Sequence, residues 1–176
     1  MPTLDKKTLC KIMKRLADER PRFCSEADFQ FALAWKIQEN YPDAEIRFEC
    51  PAKLPDNPNA RTQIDIIVKQ GGSLVPIELK YKLKSHGAET DNRKRMLHDI
   101  DRLEKLQIDG LELFDMNFAD APKTIKNRFA IWLSDNDRYW KENGKGKVDH
   151  KKYTVSWDSY AGDFMFALID ISERRS

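Results

Sequence analysis

Cysteine is scarce in this 176-residue chain: Cys10, Cys24 and Cys50 are an odd three, with no C-x-x-C pair among them. That excludes a disulfide framework and a thiolate zinc site of the usual spacing. Seven glycines and eight prolines are too few for a low-complexity or collagen-like chain. Long apolar runs are missing as well. The mean hydropathy is −0.70, and no stretch approaches the ~18–20 apolar residues that span a bilayer. The opening residues, MPTLDKK, lack the apolar core of a signal peptide, so the expectation is a cytoplasmic protein without a membrane partner. Neither sign of charge dominates: 31 Lys and Arg stand against 29 Asp and Glu, a net +2. Whole-molecule charge therefore says nothing about nucleic acid, and local clusters have to. The P-loop G-x-x-x-x-G-K-S/T, the zincin H-E-x-x-H and the hydrolase G-x-S-x-G are all absent, which removes the sequence support for those three chemistries.

What is present is a 34% charged chain of a length that predicts one domain, on a norm of roughly 100–200 residues. Residues 3–20 put Leu9, Ile12, Met13 and Leu16 on one helical face, ended by Pro21. Ser25-Glu26-Ala27-Asp28 fits a capping pattern ahead of Phe29, Ala32, Leu33 and Ile37, so a second helix runs to about Asn40, before Tyr41-Pro42. Residues 45–50 alternate as a strand, and 51–59, with three prolines and two asparagines, read as a loop. Residues 62–69 and 74–82 read as a hairpin joined through Gly71-Gly72. A third helix is predicted over 90–108, with Met96 or Leu97, Ile100, Leu103 and Leu106 inward. Residues 109–126 are assigned mostly to loop, 129–133 to a buried strand and 141–152 to a mobile loop. Residues 153–157 and 164–171 are two further strands. The order α-α-β-β-β-α-β-β-β implies a sheet with helices packed on its faces, an α/β fold.

Chemistry concentrates in the hairpin. Asp65 interrupts Ile64-Asp65-Ile66-Ile67-Val68, and Glu78 and Lys80 interrupt the apolar run from Val75 to Tyr81. Strand alternation puts Glu78 and Lys80 on one face and Ile77, Leu79 and Tyr81 on the other, and the hairpin brings Asp65 alongside. Two carboxylates beside apolar neighbours suit a hard cation such as Mg²⁺, and a nearby ammonium suits developing negative charge. The competing reading is a solvated strand face on which Asp65 and Glu78 simply pair with lysines.

This segment resembles the PD-(D/E)XK nuclease superfamily, whose fold is a restriction-endonuclease-like mixed sheet flanked by helices. The element order from about 25 to 133 follows that family's core, with the N-terminal helix and C-terminal strands as additions. The resemblance puts Asp65 at the family's aspartate, Glu78 at its variable acid and Lys80 at its lysine. Glu26 on the preceding helix takes the place of an auxiliary metal-site glutamate, and Ile64 stands where the family's loosely kept proline would be. It implies a metal-dependent phosphodiesterase, a nuclease acting on DNA in preference to RNA. Mg²⁺, or Mn²⁺ in its stead, would be held by Asp65, Glu78, the Leu79 backbone carbonyl and Glu26. Cleavage of both strands by such a fold would suggest a homodimer.

Other residues have both a functional and a plain reading. Glu26 sits in the first turn of its helix, where any acid is favoured. Glu49 and Gln63 are read as the polar side of their strands, and Arg61 as a phosphate contact or an ion-pair partner. Lys80, Lys82, Lys84, Arg93, Lys94 and Arg95 form a basic run suited to phosphates or to solvent. His86, His98 and His150 have no metal-ligand spacing, and Trp132 and Trp157 are read as core. Two alternatives to the nuclease stay open: a non-cleaving nucleic-acid-binding protein on the same fold, and a protein-interaction domain.

Overall fold

The computed structural model describes residues 3–111 and 121–173, the side chains of 58–61 excepted. Asp5 caps helix α1 (Lys6–Glu19) by accepting from the Thr8 backbone N–H at 2.7 Å. Ser25 does the same for α2 (Glu26–Asn40), taking the Asp28 N–H at 3.1 Å. Asp28 in turn accepts from the Cys24 N–H, which together with Arg20 holds its carboxyl below the usual range. The remaining elements are β1 (Glu45–Leu54), β2 (Asn57–Gln70), β3 (Ser73–Lys82), α3 (Glu89–Lys105), β4 (Thr124–Ile125), β5 (Phe129–Ser134), β6 (Trp157–Ser159) and β7 (Met165–Asp170).

The strands form one mixed seven-stranded sheet in the order β1-β2-β3-β5-β7-β6, with the two-residue β4 pairing beside β3. β1, β2 and β3 are antiparallel neighbours, whereas β3 and β5 run parallel, joined by the crossover that contains α3. Parallel neighbours require such a crossover, and α3 supplies it. The pleat then sorts the side chains. Ile66, Val68, Ile77, Leu79, Tyr81, Phe129, Ile131 and Leu133 face α1 and α2, while Ala130, Trp132, Ala167 and Ile169 face Met96, Ile100 and Leu103 of α3. Burying side chains of this size stabilises the fold by ~1.5–3 kcal/mol each. No helix among the described residues is long and apolar enough to cross a membrane.

Several expectations need correction. Residues 51–59 are not a loop: β1 continues through Pro51 to Leu54, Pro55-Asp56 make a two-residue turn, and β2 starts at Asn57. Pro51 is tolerated because β1 is an edge strand, on which a missing N–H need not break a ladder. The strand expected at 153–157 is only Trp157–Ser159, and Tyr153 instead plugs the α3-side core. The stretch 141–152 is a largely exposed loop without helix or strand, as expected, and within it Gly146 and Val148 are buried next to Tyr139. Within 109–126 a short 3-10 turn and β4 appear, and residues 112–120 lie outside the described residues. Trp132 is fully buried, and the half-buried Trp157 packs on it, with ring centroids 6.3 Å apart.

Candidate functional site

The site begins with an irregularity shared by two strands. β1 and β2 are paired on either side of Glu49 and Asp65, through Phe48↔Ile66 and Cys50↔Ile64. At Glu49 the backbone is left-handed (φ 49°), a conformation a non-glycine residue seldom adopts. The inward faces exchange there: Ile46 and Ile66 belong to the α1–α2 side, but Cys50 and Ile64 belong to the other. Gln30 of α2 pins the irregularity, donating through Nε2 to the Glu49 carboxylate (2.9 Å) and to the Asp65 backbone carbonyl (2.6 Å).

The same irregularity parts β2 from β3. Their ladder ends at Ile66↔Ile77, so β3 presents the N–H groups of Leu79 and Tyr81 with no strand opposite. Side chains take them. Asp65 Oδ2 accepts from Leu79 N at 2.6 Å, and Glu26 Oε2 accepts from Tyr81 N at 2.8 Å. Acids from β2 and from the first turn of α2 thereby line one edge of β3. The Leu79 carbonyl on that edge receives the Lys80 ammonium at 2.8 Å.

Glu78 and Lys80 point from β3 toward α3, where two residues join them that the sequence reading did not single out. Asp99 lies 3.0 Å from Lys80 Nζ and 2.8 Å from Arg102, and Arg102 Nη2 lies 2.7 Å from Glu78 Oε2. The signal for Asp99 was available: the inward series Met96, Ile100, Leu103 passes through position 99, so an acid there is buried. Nothing in the sequence pairs Arg102 with Glu78 across 24 residues.

Electrostatics single out Glu78. It is 0% exposed, and neither carboxylate oxygen has a hydrogen bond of good geometry, the Arg102 ion pair notwithstanding. Burial, then the Asp65 charge, push its pKa well above the ordinary 4.5, although Arg102 opposes them. Burial also raises Asp99 against the opposing pull of Lys80 and Arg102. For Lys80 burial works toward the neutral form, but Asp99, Glu26 and Asp65 outweigh it and keep the ammonium above its usual range. The buried group thus sets three acids, Asp65, Glu78 and Asp99, against two cations, Lys80 and Arg102. One negative charge is left for a proton or a further cation.

Asp65, Glu78 and Lys80 are therefore brought together. Glu26 sits further along β3, 3.8 Å from Lys80 and 3.6 Å from Lys82. Gln63 is exposed, and the Arg61 side chain lies outside the described residues. Of the basic run, Lys80 and Lys82 face Glu26, while Lys84, Lys94 and Arg95 are exposed. His86 and His98 are exposed too. Among the described residues no three His, Cys, Asp or Glu side chains already form a metal-ligand group. The cysteines are free thiols, and burial pushes that of Cys50 up to about 12. Comparison with models of protein families, with curated proteins and with solved structures finds no match for this chain.

Proposed function

We propose that this chain is a metal-dependent nuclease of restriction-endonuclease-like fold, hydrolysing phosphodiester bonds with DNA as the preferred substrate over RNA. One observation carries the reading: where β2 leaves β3, Asp65, the Leu79 carbonyl and the buried Glu78 carboxylate, ion-paired with Arg102 but without a well-formed hydrogen bond, come together beside an ammonium. These are hard oxygen donors with a negative charge in excess, which is the donor set Mg²⁺ selects. Bound there, the ion would supply a Lewis acid for a phosphoryl oxygen and a water of lowered pKa.

The chain's own residues divide the rest. Asp65 and Glu78 would hold the ion, with the Leu79 carbonyl as a third donor. Lys80, kept charged by its acidic neighbours, carries positive charge to where negative charge builds up in the reaction. Glu26 binds the Tyr81 N–H and faces both Lys80 and Lys82, so it fixes the β3 edge and orients the ammonium. That role replaces direct metal ligation for Glu26 in this reading. A second reading, a non-cleaving nucleic-acid binder, is favoured by one feature: cations of the chain itself already cover the Leu79 carbonyl and Glu78.

Calorimetric titration with Mn²⁺ beside cleavage of plasmid and single-stranded substrates separates the two. A nuclease binds Mn²⁺ and cleaves, and Asp65→Ala or Glu78→Ala removes both properties together. Lys80→Ala retains the metal but cleaves about 10²–10³-fold more slowly, the loss typical of one electrostatic stabiliser. Nucleic-acid retention without cleavage at any metal concentration selects the binder. Full activity in Lys80→Ala overturns the assigned chemistry.

A further inference from the structure

Arg102 touches both the buried acids and an open cleft. Inside, its Nη2 lies against Glu78 Oε2 and Asp99 Oδ1, at 2.7 and 2.8 Å. Outside, it lines a cleft of about 280 Å³ between the β1–β2 turn and α3, whose walls also hold Thr62, His98, Lys105 and two acids, Asp101 and the Lys105-paired Asp56. Its remaining contacts are weak. Nη1 is 3.4 Å from Thr62 Oγ1, and the buried Nε has no hydrogen-bond partner. A guanidinium offers five donors suited to carboxylate and phosphate oxygens alike, and here a few serve acids while the others are poorly used.

We propose that Arg102 occupies the cation position against Glu78 in the metal-free protein, and that an entering divalent cation displaces it into the cleft, where it binds a phosphate of the nucleic acid. The inference rests on the nuclease reading and adds a residue and a coupling to it. Two positive charges against one fully buried carboxylate repel each other, so the guanidinium has to yield when the ion arrives. The side chain is only 17% exposed but stands at the cleft wall, so a change of rotamer is enough to move its head from acid to solvent. Cation entry then creates a phosphate contact that the metal-free protein lacks.

The test uses the full-length protein, Mn²⁺ alone as the first probe and a short labelled DNA duplex as the second. Arg102→Met removes the competing charge while keeping an unbranched stem. It should bind Mn²⁺ at least ~10-fold more tightly than wild type, since a displaced charge no longer competes. In EDTA the two proteins should bind the duplex equally. With Mn²⁺ the variant should bind it more weakly, and its affinity should depend less steeply on salt, the slope falling by about 1, as expected for one lost phosphate contact. If Arg102→Met fails to fold, Arg102→Lys keeps the charge but loses the two-acid grip, and the same shifts should appear in smaller measure. Unchanged or weaker Mn²⁺ binding in a folded variant overturns the proposal, as does a duplex defect of equal size in EDTA. A wild type that binds Mn²⁺ through Asp65 and cleaves, paired with a variant of unchanged Mn²⁺ affinity, sinks the Arg102 exchange alone. Absence of Mn²⁺ binding in both proteins removes the nuclease reading with it.

Discussion

At the scale of single residues, Glu78 shows how burial changes what a carboxylate does. A solvated glutamate is an unremarkable anion, but this one is held above its ordinary 4.5 by burial and by Asp65. Asp99 is raised from 3.8 for the same first reason. A carboxyl whose folded pKa lies above its unfolded value binds more protons in the folded state. Its stability contribution is full below the unfolded value and is lost as pH rises through the folded one. In EDTA, the urea midpoint should therefore fall as pH rises above the ordinary carboxyl range, and Glu78→Gln should flatten much of that slope. A midpoint rising with pH there, or an unchanged slope in Glu78→Gln, would contradict the assignment. The acid at 78 and the lysine at 80 were legible in the sequence because charge inside an apolar strand is conspicuous. Asp99 was within reach, because it falls on the inward series of its helix, but Arg102 was not, because a cation on a mostly polar helix of 17 residues looks like solvated surface.

At the scale of elements, the parting of β2 and β3 is what makes a site out of a hairpin. A regular ladder would have spent the Leu79 N–H on β2 backbone and left Asp65 to solvent. Gln30 holds the irregular backbone from outside the sheet by satisfying the Asp65 carbonyl. Gln30→Ala leaves that partly buried acceptor unpaired, at a cost of about 1–3 kcal/mol. If the proposed nuclease activity holds, it should also lower cleavage more than the stability loss accounts for, because Asp65 is then free to shift by the ångström that positioned groups do not tolerate. Thermal unfolding and a cleavage assay on the same preparation measure both, and a rate equal to wild type would reduce Gln30 to a structural clamp. The second helix was readable from its cap and apolar spacing, and its first-turn acid from the sequence alone. That this acid would reach the Tyr81 N–H, rather than a position beside Asp65, depended on how α2 lies across the sheet.

At the scale of the whole molecule, the sheet has one core on its α1–α2 side and another against α3, besides a smaller cluster around Cys50 and Ile64, and alternate residues of β5 serve the first two. Ile131 and Leu133 fill the first and Trp132 the second, so neither face can loosen without the strand they share. Trp132→Ala should cost ~3–5 kcal/mol, as large-to-small changes at fully buried aromatics do. Unfolding followed by circular dichroism and by the remaining tryptophans should stay one coincident transition. Separate midpoints would show that the two faces unfold independently. The sequence by itself determined the helices, the hairpin, the buried strand at 129–133 and the pairing of Asp65 with Glu78 and Lys80. These follow from local rules: caps, the 3.6 and 2.0 periods, and a two-glycine turn. Only the tertiary structure decided that β1 runs on through Pro51 as an edge strand, that Val148 of the 141–152 loop is buried against Tyr139, and that Asp99 and Arg102 close over Glu78. Those outcomes depend on which face of each element is covered, and burial, the term that prices a charge or a missing N–H, exists only once distant segments have come together.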